Sequence, residues 1–198
     1  FQRSSAEVSE RIRQPALAPP PIRPAQPREA EPGAFLEAHY RHLWMTRMHD
    51  MPFVNPALGV EAIGFRRHDG DWLGVMITPW FLNLFLIYGG GALWGDIPAG
   101  ERRYLNLPCG TLQFLADDDP DLGPYQYSPL IAPVNSLPDM ATARQVAADA
   151  LAAIFDPPAD AVAAGGTIEK PLPAAVDRDQ VAETVSRRVF LRKLAGRR

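Results

Sequence analysis

Between residues 34 and 49, apolar side chains recur every three or four positions. Leu36, Tyr40, Leu43, Trp44 and Met48 fall on one stripe, which predicts an amphipathic helix that Pro52 terminates. The pattern then changes to short apolar runs. Leu58 to Arg67 and Trp72 to Thr78 read as two strands. His68-Asp69-Gly70-Asp71 joins them, and Asp-Gly is a strong signal for a two-residue hairpin. Trp80 to Tyr88 reads as a third, mostly buried strand that Gly89-Gly90-Gly91 ends. Arg103 to Leu107 and Thr111 to Ala116 form a further pair around Pro108-Cys109-Gly110. Tyr125 to Pro133 follows as an edge strand. Helical spacing returns near the end of the segment. Ser136 is the expected cap of a helix through Phe155, with Pro138 in its first turn. Its buried face is Met140, Ala143, Ala147, Ala150, Leu151 and Ile154. The layout predicts an α+β domain, an antiparallel sheet flanked by an N-terminal and a C-terminal helix.

Composition divides the 198 residues into four stretches. Residues 1–33 hold seven of the 21 prolines and read as an extended or disordered arm. Residues 34–156 hold all four tryptophans and all five tyrosines and form the folded domain. Residues 157–185 are rich in Ala, Pro and Gly and read as a linker. Residues 186–198 are a basic tail. The formal charge of −3 hides a separation: seven arginines against 14 acidic residues in 34–156, then six basic residues and no acid in 186–198. Such a split either favours an electrostatic partner or reflects a solvated tail. No apolar run approaches the roughly 20 residues of a membrane-spanning helix. The amino end does not read as a signal peptide. One cysteine, Cys109, makes no internal disulfide, CxxC pair or cysteine cluster, so a reducing compartment, the cytoplasm, is expected.

Few residues are arranged for catalysis. His39 and His42 stand three apart with His49 beyond them, but no His-Glu-x-x-His pattern or evenly spaced third ligand accompanies them. They read as polar-face histidines, and neither a metal nor a cofactor is expected. Cys109 sits in an acidic domain, which opposes thiolate formation. It reads as a small residue in a tight turn; the competing reading is a thiol enzyme. Nucleotide-binding loops and nucleophile elbows are absent. Asp117, Asp118, Asp119 and Asp121 lack calcium-loop spacing and read either as a solvated loop or as an acidic landing site for arginine.

Binding features are clearer. Pro79 interrupts an apolar run, which leaves two readings: a core strand with a bulge, or a groove in which Trp80 and Asn83 hold an apolar peptide beside a polar handle. In the tail, Ser186-Arg187-Arg188-Val189-Phe190-Leu191-Arg192-Lys193 is very similar to a twin-arginine export motif. Only five residues follow it, so it is expected either to imitate an export signal or to have been appended to the chain, rather than to act as one; a chance basic helix end is the other reading.

The blocks Met51 to Ala62, Leu73 to Leu84 (with Thr78-Pro79-Trp80-Phe81-Leu82-Asn83-Leu84), Leu107 to Phe114, and Gly123 with Tyr127 to Leu130 resemble the HybE/HupJ family of nickel–iron hydrogenase assembly chaperones. The resemblance covers about 34–156. It implies a cytoplasmic, non-catalytic protein that binds the hydrogenase small-subunit precursor and delays its export until assembly is complete. Other maturation factors or a rubredoxin are implied as further partners, with no nucleic acid and no stable membrane insertion. A scaffold subunit of a maturation complex is the alternative. The expected partner-binding residues are Asn55, Thr78, Pro79, Trp80, Asn83, Asp117, Asp118, Asp119 and Asp121. Ser186, Arg187, Arg188, Phe190 and Leu191 are expected to act as a pseudo-ligand.

Overall fold

A computed structural model describes residues 21–156. The linker and the twin-arginine-like tail lie outside these residues, as does most of the N-terminal arm. The chain forms α1 (Gly33–Leu43), which runs on as one π-helical turn (Trp44–Met48). The strands are β1 (Glu61–His68), β2 (Asp71–Ile77), β3 (Leu82–Ile87), β4 (Arg102–Leu107), β5 (Gly110–Asp119) and β6 (Gly123–Ile131). A 3-10 turn (Val134–Ser136) leads to α2 (Met140–Phe155). The six strands form one antiparallel sheet in the order β1-β2-β3-β6-β5-β4. This is the predicted α+β arrangement, with one helix on each face.

The Asp-Gly hairpin signal acts as its chemistry dictates, and Pro79 sits in a turn between two strands rather than at a bulge within one. Asp69 and Gly70 both take positive φ, 48° and 89°, which matches the twist of the β1–β2 pair. Pro79 ends β2, and Thr78 closes the next turn. The Thr78 hydroxyl accepts from the Phe81 backbone N–H at 2.9 Å, while the Thr78 N–H donates to the Phe81 carbonyl at 2.9 Å. The third strand therefore begins at Leu82 rather than Trp80.

Alternation sorts the side chains onto two faces. Leu73, Val75 and Ile77 on β2 pair with Leu86, Leu84 and Leu82 on β3. With Phe114, Leu130 and the Ala143, Ala147, Ala150, Leu151 and Ile154 face of α2, they form the larger core. Each Leu or Ile buried there contributes about 1.5–3 kcal/mol. The opposite face carries Phe65, Met76, Phe85 and Ile87, covered by Leu36 and Tyr40 of α1. Gly74 is required here, because a Cβ would overlap the ring of Phe65.

Two expectations are corrected. The strand predicted at 125–133 is β6, which lies between β3 and β5 rather than at an edge. Polar Gln126 and Ser128 gave it an edge-like pattern, but both are buried, and the Gln126 amide donates to the Gly95 carbonyl at 2.8 Å. The cap of α2 is Asp139, not Ser136. The Asp139 carboxylate accepts from the Thr142 N–H at 2.7 Å, and its charge complements the positive end of the helix. Ser136 instead lies in the 3-10 turn, its hydroxyl donating to the Pro133 carbonyl.

Within the Pro-rich arm, residues 21–32 are described. They run without regular structure along the domain. The Arg28 N–H donates to Tyr88, the Trp72 indole donates to the Arg28 carbonyl, and Arg23 pairs with Asp118 at 3.0 Å.

Candidate functional site

On the α1 face, the helix covers β1, β2 and part of β3, and leaves the β3-β6-β5 portion open. The result is a groove of about 450 Å³. Strand register builds its floor. Asn83 stands opposite Pro129, Phe85 opposite Tyr127, and Tyr125 opposite Asp117, so these side chains share one face. Phe85 and Tyr125 stack at 5.2 Å with their planes 4° apart. Tyr40 of α1 meets Phe81 edge-on at 5.2 Å. Trp80 forms the rim and stacks on Trp44 at 6.0 Å.

The groove is polarised. Its middle holds Asn83, which is 6% exposed, and whose amide has no hydrogen-bond partner among the described residues. Asp117 and Asp119 lie at the acidic end. The Tyr125 hydroxyl donates to Asp117 at 2.8 Å. Burial pushes the Tyr125 phenol far above its usual range, and neighbouring Tyr40 and Asp117 push it further. Tyr40 is also raised by burial, partly opposed by its hydrogen bond to Tyr125. Tyr127 is raised by burial and by Asp117. All three phenols are therefore held neutral, while Asp117 supplies negative charge beside them.

The structure brings together four of the nine predicted partner-binding residues of the domain: Trp80, Asn83, Asp117 and Asp119. The others sit elsewhere. Asn55 is buried, and its amide donates to the carbonyls of Val134 (3.0 Å) and Leu137 (2.8 Å) while accepting from Ala57. Its hydrogen-bonding capacity is engaged in tying loops together, and it does not line the groove. Thr78 and Pro79 are buried in the β2–β3 turn and shape the rim through Trp80. Asp118 points to the opposite face by strand alternation and pairs with Arg23. Asp121 is exposed in the β5–β6 turn. The acidic run is thus a strand end and a tight turn, not a loop. The pseudo-ligand residues Ser186 to Leu191 lie outside the described residues.

Several groove residues were read as core or left unassigned. Tyr40 and Leu43 were placed on the buried stripe of α1, and Tyr125 and Tyr127 on an edge strand. The missed signal is parity: Phe81, Asn83, Phe85, Asp117, Asp119, Tyr125 and Tyr127 are all odd-numbered, which puts the members within each strand on one face. His39, expected on a polar face, has a side chain only 8% exposed, with Nε2 3.4 Å from Asp119. His42 and His49 are exposed. Cys109 occupies the β4–β5 turn and packs against the larger core. No helix of the described residues is long and apolar enough to cross a membrane.

Comparison with known proteins adds a family. Residues 31–193 match the family described as [NiFe]-hydrogenase assembly, chaperone, HybE. The chain is 41% identical over 122 residues to "Hydrogenase expression/formation protein HupT" of Azotobacter chroococcum, covering 61% of this chain and 79% of that protein. It is 38% identical over 91 residues to "Probable rubredoxin HupJ" of Rhodobacter capsulatus, covering 46% of this chain but 33% of that protein. Its fold is similar to the solution structure of HybE from Escherichia coli, with a TM-score of 0.53 and 23% identity, over 77% of this chain and 93% of that one.

Proposed function

Because the chain belongs to the HybE family of [NiFe]-hydrogenase assembly chaperones, we propose that its groove binds the twin-arginine signal peptide of a hydrogenase small-subunit precursor in the cytoplasm and delays export until assembly is complete. The observation that carries this reading is an aromatic floor that shares one groove with the Asn83 amide and with two carboxylates at one end. A short peptide with adjacent arginines and an aromatic-leucine pair complements that layout. Its guanidinium groups would pair with Asp117 and Asp119, where charge-assisted bonds are about twice as strong as neutral ones. Its apolar side chains would cover Trp80, Phe81 and Tyr127. Asn83 would hydrogen-bond the peptide backbone between them.

The same chemistry makes the chain's own Ser186-Arg187-Arg188-x-Phe190-Leu191 a competitor. Joined through residues 157–185, it would act at an effective concentration on the order of millimolar. It would fill the groove of its own or a neighbouring molecule until a client displaces it. The −7 domain and +6 tail favour this exchange.

The test is a fluorescence titration of a labelled twin-arginine signal peptide into the full chain, into a 1–185 truncation, and into Asp117→Asn. Truncation should tighten binding, and Asp117→Asn should weaken it about tenfold. A peptide that binds neither form rules out signal-peptide recognition. Binding that is unchanged by truncation rules out self-occupation alone. Co-purification of small subunit lacking its signal would favour a scaffold role over peptide capture.

A further inference from the structure

We propose that His39, Asp119 and Asp121 form a binding site for a divalent transition-metal ion at the acidic end of the groove. One potential ligand atom from each of these residues lies within 4.8 Å of the other two. They come from separate elements, α1, the end of β5 and the β5–β6 turn, so His39 meets the two carboxylates only through the fold.

The independent indication is His39. Its side chain is 8% exposed, yet Nε2 has no hydrogen-bond partner. A buried imidazole nitrogen normally finds one. Its nearest polar neighbour, Oδ2 of Asp119 at 3.4 Å, is too long and poorly aligned for a good hydrogen bond. A cation between the two would satisfy both atoms.

The surroundings suit that role. The other oxygen of Asp119, Oδ1, accepts from the backbone N–H groups of Asp121 (2.8 Å) and Leu122 (3.0 Å). These bonds fix the carboxylate, leaving Oδ2 toward His39, as outer hydrogen bonds orient metal-binding carboxylates elsewhere. Asp121 is exposed, so its side chain can move the distance needed to reach metal–oxygen bonds of about 2.0–2.2 Å.

The ligand set selects the ion class. One imidazole and two carboxylates suit Zn²⁺, Ni²⁺, Co²⁺ or Mn²⁺. The imidazole disfavours Ca²⁺ and Mg²⁺, which prefer oxygen. Three protein ligands leave at least one coordination position for water or for a donor from a bound partner. The site does not depend on the signal-peptide reading, although Asp119 belongs to both.

The experiment uses untagged full-length protein stripped with EDTA. Zn²⁺ binding is followed by calorimetry, and Co²⁺ binding by its ligand-field absorption. The wild-type chain should bind one ion. His39→Gln and Asp121→Asn should each weaken binding by at least about tenfold. His42→Gln, at an exposed position on the same helix, should bind as wild type. Circular dichroism checks that each variant is folded, and exposed Asp121 keeps the test valid if His39→Gln is not. Ca²⁺ should not compete. A chain with no one-to-one site overturns the proposal, since His39 is then only a poorly paired side chain beside Asp119. Equal affinity in wild type, His39→Gln and Asp121→Asn overturns it as well.

Discussion

Trp80 lies across Trp44, ring centroids 6.0 Å apart and planes inclined by 14°. One ring comes from the β2–β3 turn and the other from the π-helical turn that prolongs α1. The stack therefore fixes the distance between the helix and the rim of the groove. Trp80→Ala removes the rim while leaving the sheet intact. Aromatic pairing contributes about 0.5–1.5 kcal/mol beyond buried area, and the half-buried indole adds its own area, so the fold should lose about 2–4 kcal/mol and persist. Peptide binding should fall at least about tenfold. Chemical denaturation and the peptide titration measure the two effects separately. A variant that loses stability but binds normally would show that the stack is only structural.

Asn83 offers the opposite combination. Its side chain lies at the groove, 6% exposed, and its amide atoms keep contact with solvent in the free protein. Asn83→Leu replaces that amide with an apolar group of similar volume. Stability should change by no more than about 1 kcal/mol, because the amide is solvated in the free protein. If the amide holds a ligand's backbone, affinity should drop by about 1–2 kcal/mol. Thermal melting and titration on the same sample decide this. A folded variant with full affinity would leave Asn83 without a binding role.

Much of this architecture was legible in the chain, for identifiable reasons. The stripe from Leu36 to Met48, the Asp69-Gly70 turn and the Ala143-Ala147-Ile154 face are local patterns, and each element formed, although the first helix turns π-helical at Trp44 and the second starts after Asp139. Trp80 and Asn83 were legible because Pro79 breaks a run that would otherwise be uninterrupted core. That Asn55 falls outside the groove was not legible, because its partners, Val134 and Leu137, are about 80 residues away. The position of β6 was illegible for the same reason: strand order depends on long-range pairing, and buried Gln126 resembles a solvated residue until Gly95 is brought to it. His39 and Asp119, 80 positions apart, meet only in the folded sheet.

The phenols of the groove predict an alkaline limit. Tyr40 and Tyr125 have folded-state pKa values raised above the usual value of about 10, chiefly by burial. A raised pKa means the folded state holds its proton more tightly than the unfolded state. The associated stability is complete below about pH 10 and is lost as pH rises beyond it. Tyr40→Phe with Tyr125→Phe should therefore lose less stability between about pH 10 and 12 than wild type. Denaturation curves across that range measure the difference. Parallel curves for the two proteins would show that the phenols ionise freely in the folded state.

The most consequential buried charge lies away from the groove. Asp71 opens β2 and is 0% exposed. One carboxylate oxygen accepts from the N–H groups of Gly89 (2.8 Å) and Gly91 (2.9 Å), and the other from Trp94 (2.8 Å). The glycines are needed because the loop is drawn onto the Asp69-Gly70 turn, where a Cβ at residue 91 would overlap the Asp69 carbonyl. Asp71→Asn keeps the size but offers one acceptor oxygen instead of two. Whichever way the amide turns, its NH2 faces a backbone donor that is already buried. The substitution should cost about 2–4 kcal/mol, more than loss of one ordinary bond, because a charged acceptor is replaced and a donor is stranded. Hydrogen exchange should rise first at Gly89, Gly91 and Trp94, and spread to β2 only under stronger denaturation. Peptide affinity, measured where the variant is still folded, should remain within about twofold of wild type, since none of these residues lines the groove. Exchange that rises evenly across the whole sheet would mean that Asp71 supports the global fold and not a local clasp.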